Sequence, residues 1–85
     1  MKILIDLIML DRLDQLIRLH ATGAPKNLAA RLGISLTTLN EMIWYMRNIL
    51  KASIRYNRYE QSYYYVFVPD FYLGFEKDRS QPVNV

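Results

Sequence analysis

The first stretch of the chain carries apolar residues at the spacing of an α-helix. It contains no glycine or proline from Ile3 to His20, which predicts a helix of about four to five turns over residues 3–20. One set of apolar side chains shares a face of this helix and is expected to meet the core: Ile5, Met9, Leu10, Leu13, Leu16, Ile17 and His20. The opposite face is polar and carries Asp6, Asp11, Asp14, Gln15 and Arg18.

A second apolar set lies on the polar side of the first helix, in its first turns. It comprises Ile3, Leu4, Leu7 and Ile8. Exposed apolar surface of this kind favours association. We therefore expect these residues to form a homodimer contact, or to dock on the aromatic cluster at 71–75.

Two further helices are predicted in the middle of the chain. Gly23 can end the first helix in the left-handed conformation, and Pro25 suits the start of the next, which is predicted over 26–32. Gly33 interrupts the pattern, and Ser35 is expected to cap a third helix that ends at about residue 50 or 51. The apolar residues of this third helix recur at helical spacing and are predicted to face the core: Leu39, Met42, Ile43, Met46 and Ile49 or Leu50.

The pattern changes from helical to alternating after the third helix. Aromatic and β-branched residues predict strands over 53–57 and 63–68, joined by a turn at 58–62. Alternation puts Ile54 and Tyr56 on one face, with Arg55 and Asn57 on the other. The surrounding tyrosines either form the packing layer of this small sheet or stack on single-stranded bases: Tyr56, Tyr59, Tyr63, Tyr64 and Tyr65. Packing is favoured, because two strands offer only a narrow platform.

Seven positions between Pro25 and Trp44 match a helix-turn-helix unit: Leu28, Ala29, Leu32, Gly33, Ile34, Leu39 and Met42. Ala29 is small where the two helices approach most closely, and Gly33 can adopt the positive φ of a sharp turn. Three helices followed by a hairpin predict a mostly α, α+β fold of the winged helix-turn-helix type over residues 1–70. Its predicted parts are the first helix at 3–20, the helix-turn-helix at 25–50 and the wing at 53–68, followed by a tail at 71–85.

The segments 28–35, 38–39, 54–56 and 62–65 resemble small bacterial winged-helix proteins. They are similar to the DNA-binding domains of the biotin-operon and deoxyribose-operon repressors, and the resemblance covers about residues 10–68. It implies sequence-specific DNA binding in transcription control. The chain departs from that pattern in two places. It has no glycine where the third helix turns into the wing, and no arginine near the start of the third helix.

Composition narrows the classes of function. A chain of 85 residues has room for one domain, and the absence of cysteine excludes disulfides and thiolate metal sites. A single histidine, His20, argues against a histidine metal site or a Ser-His-Asp triad. The apolar run at 3–10 is too short to span a membrane. We expect a cytoplasmic binding protein with no cofactor and no membrane contact, and not an enzyme.

The net charge of +3 is unevenly distributed along the chain. Between residues 26 and 65, six basic residues outnumber two acidic ones, which favours a polyanionic partner. In a helix-turn-helix protein the amino-terminal half of the third helix enters the major groove of double-stranded DNA. The predicted DNA-binding residues on this helix and the wing are Thr37, Thr38, Asn40, Glu41, Trp44, Arg47, Lys51, Arg55, Asn57 and Arg58.

Each of these residues has an expected role. Asn40 can read adenine, and Glu41 can accept from cytosine, whereas threonines can donate to phosphates or bases. The basic residues of the helix end and the wing are expected at the DNA backbone or in the minor groove. Trp44 either contacts a partner protein or packs beneath the wing, and packing is favoured because exposed indoles are uncommon.

The alternative hypothesis is a protein-interaction module on a winged-helix scaffold. Leu36, Glu41 and Trp44 on the outward face of the third helix support a protein partner, as does the missing early arginine. Reversing the charge of Arg47, Arg55 and Arg58 is expected to abolish DNA binding but to leave an apolar protein contact intact.

Overall fold

The computed structural model describes residues 7–70. In chain order the elements are α1 (Leu7–Arg18), α2 (Pro25–Leu32), α3 (Leu36–Asn48), β1 (Ile54–Asn57) and β2 (Ser62–Tyr65). Three helices followed by an antiparallel hairpin confirm the α+β fold of the winged helix-turn-helix type. Ile3 and Leu4 of the predicted dimer contact, and the whole predicted tail at 71–85, lie outside the described residues.

The first two helices end in residues with positive φ. The prediction that Gly23 ends the first helix is wrong, because α1 stops at Arg18 and His20 takes the left-handed position with a φ of 54°. Gly23 has a φ of 77° in the connection that follows. Gly33 does end α2 as predicted, with a φ of 73°, and Ile34 N–H donates to the Ala29 carbonyl at 3.0 Å.

The third helix is capped as predicted but is shorter. The Oγ of Ser35 accepts a hydrogen bond from the backbone N–H of Thr38 at 3.0 Å. The helix ends at Asn48, two to three residues before the predicted end. Lys51 follows with a φ of 60°, so a lysine adopts the left-handed conformation at the turn into the hairpin, where the sequence has no glycine.

The helices and the hairpin share one hydrophobic core. Its buried members are Leu10, Leu13, Ile17, Leu28, Ala29, Leu32, Leu39, Met42, Ile43, Met46, Ala52, Ile54, Tyr63 and Tyr65. The core positions predicted for the helix-turn-helix are therefore confirmed, with Ile34 partly buried against them at the turn. Of the two candidates at the end of α3, Leu50 packs on the core and Ile49 is 53% exposed.

The hairpin, called the wing from here on, spans residues 54–65. Its register pairs Ile54 with Tyr65 and Asn57 with Ser62. The first strand begins one residue later than predicted, and the second spans 62–65 rather than 63–68. The start of β2 at Ser62 follows from the turn, in which Asn57 Oδ1 accepts from the N–H groups of Tyr59 and Glu60 at 2.8 and 3.1 Å.

The placement of Asp14 on a solvated polar face is wrong. Asp14 has no exposed surface, and its carboxylate accepts from Arg18 Nε at 2.9 Å and from the Tyr65 hydroxyl. Arg18 also lies over the Tyr65 ring, 5.8 Å from its centroid. A buried carboxylate is thus satisfied by two donors, one from its own helix and one from β2, and it ties α1 to the wing.

The connection between α1 and α2 is joined to the wing by a second buried polar pair. The Thr22 N–H donates to Ser62 Oγ at 3.1 Å, and the Tyr63 N–H donates to Thr22 Oγ1 at 2.9 Å. His20, predicted on the core face, is exposed instead, and its Nδ1 lies 3.0 Å from Glu60 Oε1. Strand β2 is therefore held from one side at both ends: by α1 at the base of the wing, and by the segment that follows α1 next to the wing turn.

Candidate nucleic-acid interface

The outward face of α3 is exposed as the sequence predicts. It carries Leu36, Thr37, Asn40, Trp44, Arg47 and Asn48, with Glu41 partly buried at its margin. The favoured interpretation of Trp44, packing beneath the wing, is wrong, because the residue is 48% exposed and is not part of the core. Together with Leu36, which is 39% exposed, it makes this face partly apolar.

The polar residues at the start of α3 differ in what they can offer a partner. Thr38 is half-buried, and both its N–H and its hydroxyl oxygen bond to Ser35 Oγ in the helix cap. Thr37 and Asn40 are exposed, and neither side chain makes a hydrogen bond within residues 7–70. Asn40 therefore presents a donor and an acceptor one turn into the helix, in the half of α3 that enters the groove in helix-turn-helix proteins.

Arg47 joins α3 to the wing. Its Nε donates to the carbonyl of Ile54, the first residue of β1, at 3.1 Å. The residue is exposed, so the remaining guanidinium N–H groups are available on the same surface. This bond fixes the carboxyl-terminal half of α3 relative to the first wing strand.

The remaining basic residues of the predicted site lie on the turn into the wing and on the wing itself. Lys51, Arg55 and Arg58 are exposed, and none forms an ion pair within the described part of the chain. Asn57 is placed differently, since its Oδ1 is occupied by the two N–H groups of the wing turn. The wing therefore offers cationic side chains, whereas Asn57 shapes the turn that carries them.

The wing tyrosines belong mainly to the packing layer. Tyr63 and Tyr65 are buried, and the half-buried Tyr56 meets Tyr63 edge-on at 5.1 Å between ring centroids. Burial raises the pKa of the Tyr63 hydroxyl, and burial with the bond to Asp14 raises the pKa of Tyr65. The packing interpretation is confirmed for these two residues, whereas Tyr59 at the turn is 98% exposed.

Two basic residues of α2 have different surroundings. Arg31, counted with the positive charge of the middle segment, donates through Nη1 to the carbonyls of Ala21 and Thr22 at 2.9 and 3.2 Å. Lys26, which is not among the predicted DNA-binding residues, is exposed in the first turn of α2 after Pro25. Pro25, which favours the first turn of a helix, is the sequence signal that places Lys26 at the start of α2.

Other kinds of site have little support in the described residues. Between α1 and α2 lies an open cleft of about 350 Å³, lined by Asp11, Arg12, Gln15, Leu16, Arg31 and Leu32. Residues 7–70 contain no cluster of three histidine, aspartate or glutamate side chains able to hold a metal ion. None of the helices formed by these residues is long and apolar enough to cross a membrane. No family model, curated protein or solved structure matches the chain.

Proposed function

We propose that the protein binds double-stranded DNA sequence-specifically as a small transcriptional regulator and is not an enzyme. In this proposal the amino-terminal half of α3 enters the major groove, and the wing lies on the sugar-phosphate backbone. The observation that carries it is a combination of two features of residues 7–70. Thr37 and Asn40 are exposed and their side chains make no hydrogen bond within this range, and the exposed Arg55 and Arg58 of the wing form no ion pair within it.

The two parts of the surface suit the two kinds of DNA contact. Asn40 has the amide geometry that pairs with the major-groove edge of adenine. Arg55 and Arg58 can each neutralise a phosphate, and Lys51 lies at the turn between the helix and the wing. The Arg47 bond to Ile54 supports simultaneous engagement, because it fixes the reading helix relative to the wing. Thr38, Glu41, Trp44 and Asn57 remain predicted contacts of this surface.

We also propose that the protein acts as a homodimer through the apolar first turns of the first helix. Leu7 is 48% exposed and Ile8 is 62% exposed. The proposed contact also includes Ile3 and Leu4, outside the described residues. A dimer would favour a palindromic site with half-sites one or two helical turns apart. Light scattering during size-exclusion chromatography tests the assembly, and a strict monomer at tens of micromolar concentration would contradict it.

The DNA proposal is tested by selecting bound duplexes from a random pool at low salt. Affinity for the selected duplex is then measured by fluorescence anisotropy over a range of salt concentrations. If each protomer neutralises about three to four phosphates, log K should fall against log salt with a slope near about −3 per protomer. Arg55→Glu and Arg58→Glu should each weaken binding to all duplexes and make the slope shallower by about one.

The matched control is Arg12→Glu. Arg12 is exposed on α1 at the cleft with α2, so it belongs to neither α3 nor the wing, and the substitution changes the net charge by the same amount. We expect this variant to retain the slope of the unaltered protein. The DNA proposal would be overturned if no duplex is enriched at low salt, or if Arg12→Glu weakens binding as much as the wing variants.

A protein partner is the second candidate function, and the exposure of Trp44 favours it. An indole that is 48% exposed, on the same helix face as the exposed Leu36, is a typical anchor for a protein contact. If this face of α3 binds a partner protein through apolar contacts, the affinity should depend little on salt concentration. Trp44→Ala would then abolish partner binding, while Arg55→Glu and Arg58→Glu would leave it intact.

A further inference from the structure

The exposed surface of α3 carries an apolar–amide–apolar stripe. Leu36, Asn40 and Trp44 are spaced four residues apart and therefore lie on one face of the helix. Leu36 is the first residue of α3, so it and Asn40 occupy the half that enters the groove under the proposed function. The chemistry of these two side chains limits which base pairs they can recognise.

This half of the helix lacks the side chains that most often read guanine. Residues 36–42 contain no arginine or lysine, the residues that pair with the O6 and N7 of guanine. Arg47 lies more than a turn further along and donates to the Ile54 carbonyl. Glu41 could accept from cytosine, but it is partly buried and lies about 100° around the helix from Asn40.

Thr37 can bond to any base, and the other two exposed groups of this half match an A·T base pair. The Asn40 amide can bond bidentately to N6 and N7 of adenine, and no internal hydrogen bond within residues 7–70 competes for it. Leu36 is 39% exposed, and the apolar group that the major groove offers to an aliphatic side chain is the C5-methyl of thymine. We infer that this protein selects A·T base pairs, with Asn40 reading adenine and Leu36 reading a thymine methyl.

The spacing on the helix sets the spacing of the bases. Four residues of α-helix advance about 6 Å, and successive base pairs are about 3.4 Å apart. With α3 lying along the groove, the two contacts fall about two base-pair steps apart. The inference rests on the proposed function and adds the class of sequence that the same surface recognises.

The test uses the full chain and the duplexes enriched from the random pool. We expect the enriched sites to share A·T pairs at two or more major-groove positions. Replacing one thymine by uracil removes only its C5-methyl, and at the Leu36 position it should weaken binding about fourfold, the effect of one buried methyl. Asn40→Ala should weaken binding about fivefold to a hundredfold and relax selection at the adenine.

Leu36→Ala identifies the residue that reads the methyl. This variant should bind thymine and uracil duplexes equally, whereas Leu19→Ala should retain the fourfold difference. Leu19 is 69% exposed beyond the end of α1, so it provides the same substitution away from α3. Circular dichroism confirms that each variant is folded.

The outcomes separate this inference from the proposed function. If no duplex is enriched, the proposed function fails and the inference fails with it. If a duplex binds with the expected salt dependence but shares only G·C pairs, the inference alone is overturned. It is also overturned if Leu36→Ala retains the full sensitivity to uracil.

Discussion

Asp14 provides the sharpest test of what holds the wing to the helices. Its carboxylate has no exposed surface and accepts hydrogen bonds from Arg18 on the same helix and from Tyr65 on β2. Replacing Asp14 by alanine removes the acceptor and leaves both donors in place. Within residues 7–70 the buried Tyr65 hydroxyl then loses its acceptor, and the Arg18 guanidinium loses its ion pair with Asp14.

The expected loss can be worked out from these contacts. Removing one partner of a buried ion pair costs about 3–5 kcal/mol. The Arg18 side chain is 18% exposed and can turn toward water, so the lower end, about 3 kcal/mol, applies here. A domain of this size loses about 4–8 °C of melting temperature per kcal/mol. Asp14→Ala should therefore lower the melting temperature by about 12–24 °C.

The assay is thermal unfolding followed by circular dichroism, with urea denaturation for the free energy of unfolding. Asp11→Ala, one turn earlier on α1 and only partly buried, is the control and should change stability by less than about 1 kcal/mol. Tyr65→Phe completes a double-mutant cycle with Asp14→Ala. A hydrogen bond to a charged group should give a coupling energy of about 1.5–3 kcal/mol. Equal losses for the two aspartate variants, or no coupling to Tyr65, would refute this account of the network.

Two further predictions concern pH and backbone conformation. Because the pKa values of Tyr63 and Tyr65 are raised above 10.0 in the folded state, the unfolded chain ionises first as the pH rises. Stability should therefore be retained below about pH 9 and fall above about pH 10, by up to about 1.4 kcal/mol per pH unit for each tyrosine. Urea denaturation at several pH values across this range measures the loss of stability. Tyr65→Phe should lose less stability above about pH 10 than the unaltered protein does. The backbone φ is positive at Lys51 and at Gly33, a conformation that glycine adopts without strain. Lys51→Gly should therefore raise the free energy of unfolding by about 1 kcal/mol, and Gly33→Ala should lower it by about as much. A destabilising Lys51→Gly would contradict this prediction.

The helix-turn-helix could be predicted because its determinants are close together in the chain. Gly33 needs a positive φ, Ser35 caps the next helix, and Ala29 is small at the crossing, all within seven residues. The strand boundaries were predicted less well. Asn57 makes the wing turn with its side chain, and Gln61 takes a φ of 52°, so no glycine marks the turn in the sequence.

The buried polar contacts could not be predicted because their partners are distant in sequence. Asp14 is separated from Tyr65 by 51 positions, and Thr22 from Ser62 by 40. On a helical wheel, Asp14 falls among charged residues and is indistinguishable from a solvated one. Only the packing of β2 against α1 removes its side chain from water.

The residues that stabilise the wing and those proposed to bind DNA are largely separate. Asp14 and Thr22 hold the β2 side of the wing. The side chains of Arg55 and Arg58, which are proposed to contact DNA, are exposed and make no ion pair within residues 7–70. Arg47 belongs to both groups, because it is exposed on α3 and bonded to β1. A charge reversal at Arg47 would thus combine a lost contact with a displaced wing, while reversals at Arg55 and Arg58 report on binding alone. Loss of DNA affinity without loss of melting temperature at these two positions is the result that distinguishes an interface from a structural role.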